Sequence, residues 1–178
     1  MGSMGSMATM GTMGTMANFV IGEDGSTSFA GSSKALSSPF DRARFHEIRS
    51  KASAILIGGE SARTEPYQVT PIPLVIISRS GDIPDSIRAN PKAQIWQLDP
   101  IAALTKAKSE FGENILIEGG INLLKVYLLE NLIDEFYLTI SQKSGGESVY
   151  DLNSLTRNFT IESSEKVGSD TFLKLLRN

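Results

Sequence analysis

Residues 115–131 read ILIEGGINLLKVYLLEN, and residues 54–64 read AILIGGESART. Each opens as a short apolar run, breaks at a pair of glycines and continues with the spacing of a helix. An apolar run of three or four residues without polar alternation is a strand covered on both faces. A strand that passes through a glycine turn into a helix is half of a βαβ unit. Two such units predict a largely parallel sheet with helices on both sides.

Reading outward, 19–21 is a short strand that stops at the turn signal Glu23-Asp24-Gly25, and the Gly- and Ser-rich stretch 25–38 is a loop. Ser38 followed by Pro39 is an N-cap with proline at the first helical position, which predicts a helix to about Ser50. His46, between Phe45 and Ile48, is read as a partly buried structural residue. The helix after Gly58-Gly59 is stopped by Pro66; strands are expected at 74–78 and 93–98; Asp99 caps a helix from Pro100 to about Glu110. Segments 135–141, 159–167 and 171–176 read as strands with no helix between them, and so as an antiparallel edge. The expected fold is a three-layer α/β sandwich with a mixed, mostly parallel sheet.

Residues 1–16 stand apart. All six methionines of the chain recur there at every third position, separated only by Gly, Ser, Ala and Thr. Period three fits neither helix nor strand, so the segment is read as a low-complexity or expression-derived tail, with Met16 as the original start and 17–178 as a single domain. A methionine-rich metal-binding tail is the alternative.

Composition narrows the chemistry. Apolar residues at 40% and charged residues at 21% are ordinary for a globular domain, and no apolar run is long enough to span a membrane or to form a secretory signal. The expected location is cytoplasmic. A net charge of -3 argues against nucleic acid as partner. With no cysteine and one histidine, the chain has no disulfide, no thiolate zinc site, no cysteine nucleophile and no multi-histidine metal site. Carboxylates, hydroxyls, amides, cations or a bound cofactor must do the work, and no metal is expected.

In open α/β sheets ligands bind beyond the carboxyl ends of the strands. Gly58-Gly59 with Ser61, and Gly119-Gly120 with Ile121 and Asn122, are strand-to-helix turns where backbone amides can approach a phosphate. Ser78-Arg79-Ser80, after a further strand, offers two hydroxyls and a guanidinium to a phosphate monoester. A glycine pair by itself is most often a tight turn, and neither pair completes a GxGxxG; two on successive units beside a basic hydroxyl loop favour a dinucleotide. Glu118 ends an apolar strand, where a carboxylate either caps a neighbouring amide or reaches into the cleft. Asp24-Gly25 is a turn first and a ligand contact second.

Asp24-Gly25, then GSSKALSSPFDRARFHEIRSKASAILIGGESARTEPY from Gly31, then LIEGGINLLKVYLLENLIDEFYLTIS from Leu116 together resemble the C-terminal reductase domain of the bifunctional riboflavin-biosynthesis deaminase–reductases. They are more similar still to the stand-alone pyrimidine reductases of actinobacteria. The resemblance runs from about Asn18 to Ser141. It implies a dihydrofolate-reductase-like fold, NADPH as cofactor, a homodimer, and reduction of the ribose of 5-amino-6-(5-phosphoribosylamino)uracil to ribityl. It places Ser33, Arg49 and Glu118 at substrate-binding positions, and Asn18, Asp24 and Glu118 at the catalytic centre. Ser61, Glu65, Ser78 and residues 120–126, Leu123 among them, fall at cofactor-binding positions, as does Val20 through its backbone. Gly58, Gly59, Arg79, Gly119, Gly120, Ile121 and Asn122, chosen above from the residues alone, join that cofactor set. Asn18 stands where many members carry lysine, Ala35 where they carry tryptophan and Gly22 where they carry serine. With no H-x-E and no C-x-x-C, zinc deamination is excluded. The competing readings are a dihydrofolate-reductase-like activity on a pterin and a non-catalytic nucleotide-binding regulator.

Overall fold

The computed structural model describes residues 14–178; the stretch 1–13, most of the methionine-rich tail, lies outside the described residues. Among the described residues eight strands and six helices follow in the order β1 Met16–Gly22, α1 Pro39–Arg49, β2 Ala54–Gly58, α2 Gly59–Thr64, β3 Leu74–Ile77, α3 Asp85–Arg88, β4 Ala93–Trp96, α4 Pro100–Phe111, β5 Ile115–Ile117, α5 Ile121–Leu129, β6 Glu135–Ser141, α6 Leu152–Thr156, β7 Phe159–Val167 and β8 Asp170–Arg177. One sheet holds all the strands in the order β4-β3-β2-β5-β1-β6-β8-β7. The six from β4 to β6 are parallel; β8 runs antiparallel to β6, and β7 antiparallel to β8. This is the three-layer α/β sandwich with an antiparallel edge that the sequence predicts.

Local chemistry sets the helix boundaries. Ser38 Oγ accepts from the Asp41 amide at 3.1 Å with Pro39 in the first turn, and Asp99 Oδ1 accepts from the Ala102 amide at 3.0 Å ahead of α4. Gly112, at φ 102°, ends α4 in the left-handed region.

The pleat then sorts side chains to two faces. Ala17, Leu56, Val75, Ile117 and Phe136 pack on one face against Ala103, Leu104 and Ala107 of α4, Leu124 and Tyr127 of α5 and Leu155 of α6. On the other face Ile55, Ile57, Leu74 and Ile76 meet Ala62 of α2 and Ile87 of α3, while Met16, Leu116 and Tyr137 meet Ile48 of α1. Each fully buried Ile or Leu contributes about 1.5–3 kcal/mol of transfer free energy, so the two apolar layers drive the assembly.

The structure departs from the sequence reading in four places. Gly14, Thr15 and Met16, read with the tail, are part of the fold: Met16 is buried and paired with Leu116 and Glu135, and the Thr15 carbonyl accepts from the Asp134 amide. The single-turn helix α3 and the short α6 occupy segments for which the sequence reading gives no element, and α6 separates β6 from β7. β6 is parallel to β1, so the antiparallel edge begins only at β8. His46 is exposed, touching Phe45 edge-on at 5.9 Å, because it lies on the solvent side of α1 while Ile48 and Arg49 face the sheet.

No helix among the described residues is long and apolar enough to cross a membrane, and none of their acidic or histidine side chains cluster in a metal-binding group of three or more.

Candidate active site

All six parallel strands end at the same edge of the sheet, and the topology crowds the informative turns there. β5 is inserted between β2 and β1, with Leu56 opposite Ile117 and Ala17 opposite Ile117. The two glycine turns therefore emerge side by side. The Gly120 amide donates to Ser61 Oγ at 2.8 Å, tying the start of α5 to α2. Gly119 has φ 109°, and a Cβ built on it would lie 2.5 Å from Ser61 Oγ. Only glycine fits this close approach. A Cβ on Gly59 would meet Ser78 Oγ at 3.1 Å, so the third segment closes the same corner.

At the start of α5, Gly120 supplies no capping side chain, and the amides of Leu123 and Leu124 turn back to the Gly120 carbonyl. The Ile121 and Asn122 amides have no acceptor within the helix and, with the helix dipole, favour an anion. In the 78–82 turn Ser78 Oγ accepts from the Gly81 amide at 3.1 Å and Ser80 Oγ from the Asp82 amide at 3.2 Å. Both hydroxyls keep a proton to donate. The Arg79 side chain is exposed beside them.

Glu118 is buried and does not open onto the cleft. Its carboxylate receives Arg49 Nε at 2.8 Å and Arg49 Nη2 at 2.7 Å, and the Tyr67 hydroxyl at 3.0 Å. Period two along β5 puts Glu118 on the face of Leu116, and α1 delivers Arg49 to that face one residue after Ile48. Burial pulls the Arg49 guanidinium down, but its hydrogen bonds and attraction to Glu118 more than offset this and hold it above its ordinary value. Burial, then the neighbouring Glu118 charge, pushes the Tyr67 phenol well above its ordinary value. Arg49 therefore stays charged and Tyr67 neutral across the working pH range.

Ser33 bonds Glu65: its amide and hydroxyl donate to Glu65 Oε1 at 2.8 and 3.1 Å, and Ser32 Oγ adds a third bond at 3.0 Å. An expected substrate position and an expected cofactor position thus form one corner. It borders a surface cavity of ≈ 350 Å³ lined by Ser32, Lys34, Arg63, Glu65 and Ser86, among others.

Asn18 and Val20 are half-buried on β1, on the face of Met16. Asp24 lies past the strand. Its Oδ1 accepts from the Ser26 hydroxyl and amide at 2.7 and 3.0 Å, and its Oδ2 from the Gly145 amide at 2.7 Å. The Ser26 hydroxyl, then the Gly145 and Ser26 amides, lower its pKa to about 2. Asp24 is an ionised clip between the loops after β1 and β6.

Sequence reasoning missed Tyr67, Ser32 and the 142–150 loop. Tyr67 lies one residue past Pro66, and no local pattern announces its bond to a carboxylate 51 residues away.

The sequence profile of the RibD C-terminal domain matches residues 15–173. No curated protein sequence matches the chain. Among solved structures, Acinetobacter baumannii RibD superposes with a TM-score of 0.79 at 18% identity over 95% of this chain, which spans 59% of that protein's length. A pyrimidine reductase-like protein from Corynebacterium diphtheriae gives a TM-score of 0.74 at 18% identity, covering 93% of this chain and 92% of that one. The Thermotoga maritima diaminohydroxyphosphoribosylaminopyrimidine deaminase/5-amino-6-(5-phosphoribosylamino)uracil reductase gives 0.70 at 15% identity, covering 93% of this chain and 56% of that one. At these identities the likeness is one of fold.

Proposed function

Because this chain belongs to the RibD C-terminal domain family, we propose that it is an NADPH-dependent reductase of a phosphoribosylamino-pyrimidine, acting in riboflavin synthesis. The observation that carries this reading is the convergence of the three strand-end segments, with the Ser61–Gly120 bond and the Gly119 turn that admits no side chain. Two amides without a helical acceptor at the start of α5, beside the tightly packed Gly119 turn, suit a dinucleotide diphosphate. Ser78-Arg79-Ser80 suits a 2′-phosphate at its adenosine end. NADPH, when bound, supplies the hydride.

The chain's own residues bind and orient. Ser61 fixes the Gly120 amide, and Glu118, pinned by Arg49 and Tyr67, fixes the turn that precedes it. Ser33 and Glu65 present a polar corner to the sugar. Asn18, a neutral amide, can both donate to and accept from a sugar oxygen but is no acid. Asp24, ionised far below neutrality, is no acid either. Catalysis here is therefore positioning and electrostatics around the hydride donor.

NADPH oxidation followed by absorbance, with the phosphoribosylamino-pyrimidine and separately with dihydrofolate, tests the reading. Turnover of the pyrimidine is expected. Turnover of dihydrofolate alone would replace the reading with a pterin reductase, and turnover of neither would remove the enzyme.

A further inference from the structure

Glu118, Arg49 and the half-buried Asn18 and Val20 all lie on the α1 side of the sheet. The opposite side carries a second concavity. There α5, α6 and the first residue of β7 enclose a hollow of ≈ 180 Å³ against the layer of Leu124, Tyr127 and Leu155. Its floor is apolar, made by Leu128, Tyr150, Leu155 and Phe159. Leu129 stands at the rim, 63% exposed. A dry cavity of about 150 Å³ takes up one benzene ring, so this hollow has room for a single ring with a small substituent.

Two cations complete the lining, Lys125 from α5 and Arg157 from just past α6, and among the described residues no carboxylate lines it. Both cations are exposed, and among the described residues neither is in an ion pair. Lys125 Nζ lies 4.9 Å from the centroid of the Tyr150 ring, a contact that orients the ammonium and leaves its N–H donors for a further acceptor. The neutral polar groups of the lining are already engaged. Ser154 Oγ donates to Asp151 Oδ2 at 2.8 Å, and Asn158 Nδ2 to Asn131 Oδ1 at 2.7 Å. What the hollow offers is therefore an apolar floor with two positive charges at its rim, the complement of a small anion with an apolar body.

We propose that this hollow is a second binding site, for a single-ring aromatic carboxylate, with the ring on Leu155 and Phe159 and the carboxylate on Lys125 and Arg157. The site stands on the α5–α6 surface alone and holds whether or not the chain is a reductase.

Methyl NMR of the full chain, titrated with benzoate, with benzyl alcohol (the ring without the charge) and with acetate (the charge without the ring), tests it. Benzoate shifts the Leu128 and Leu155 methyls saturably and binds at least about tenfold more tightly than either of the others, as a charge-assisted hydrogen bond added to a buried ring requires. The combined substitution Lys125→Ala and Arg157→Ala lowers benzoate to the affinity of benzyl alcohol and leaves the alcohol in place, which also shows the hollow still folded. Lys125→Gln with Arg157→Gln, which keeps the side-chain stems, does the same. Equal affinities for benzoate and benzyl alcohol in the wild type, or shifts confined to residues elsewhere, would overturn the proposal. So would displacement of benzoate by NADPH, because the anion would then sit at the cofactor corner. A benzoate affinity that falls as the chain concentration rises would overturn it too, and would mark the hollow as an interface between copies.

Discussion

Arg49 and Glu118 lie 69 residues apart in sequence and meet as a buried two-pronged ion pair, with Nε to Oε1 at 2.8 Å and Nη2 to Oε2 at 2.7 Å. One end of the pair is α1 and the other is the last position before the Gly119 turn, so the pair joins a helix to the turn proposed to hold the cofactor. Removing one charge leaves the other buried alone. Glu118→Gln is expected to cost about 3–5 kcal/mol of stability and to weaken NADPH binding with it, because the turn loses its anchor. Thermal melts and cofactor titration of the same sample measure both. A loss of kcat/KM with stability and cofactor affinity intact would instead make Glu118 a direct substrate ligand.

Gly119 sits at φ 109° with Ser61 Oγ where a Cβ would go. Gly119→Ala combines left-handed strain with a clash, and is expected to cost about 1–3 kcal/mol by denaturant unfolding. Adding Ser61→Ala relieves the clash but not the strain, so the double variant recovers only part of the loss. Full recovery would show that the backbone at 119 is free to change.

Cofactor preference follows from the 78–80 segment. NADPH is expected to bind more tightly than NADH, and Arg79→Ala to remove about 1–3 kcal/mol of that preference, the scale of a charged hydrogen bond. Trp96 is a reporter close by, since its carbonyl accepts from the Ser78 amide at 3.1 Å. Equal quenching curves for the two cofactors would remove the case for a 2′-phosphate site.

Acid should release the loop clip at Asp24. Its pKa falls from 3.8 to about 2 in the fold, so its contribution is present above 3.8 and is lost as pH drops through about 2. The Gly145 amide resonance, whose proton goes to Asp24 Oδ2, is expected to shift over that window. Asp24→Asn should abolish the shift, and a shift that persists would assign the titration elsewhere.

β7 leaves an open sheet edge with Ile161 exposed, and such an edge invites a second copy. Light scattering at micromolar concentration is expected to give twice the 19.2 kDa chain mass. Ile161→Lys should return it toward the monomer, and a wild type already at monomer mass would end the dimer expectation.

The features legible in the sequence were the local ones. Ser38-Pro39 and Asp99-Pro100 carry their caps within three residues, and the glycine pairs announce turns without reference to anything distant. The cradle itself depends on β5 lying between β2 and β1, which no local pattern encodes. The same holds for the Tyr67–Glu118 bond and the Asp24–Gly145 clip, where each partner is ordinary and only the fold joins them. The short helices α3 and α6 fall in segments too brief to show a period. Glu118 was visible as unusual, while its occupation by Arg49 was not.

β5, three residues long, arrives late to the middle of the sheet: Ala54 waits for Ile115, and Met16 for Leu116. A ribosome that has released only the first hundred residues has made both flanking strands and the first glycine turn, but nothing to join them. Closing so long a loop is slow, and the cradle appears only when it closes. A cofactor bound as proposed at this corner can be held only after that step, so a chain halted before residue 115 is expected not to retain it.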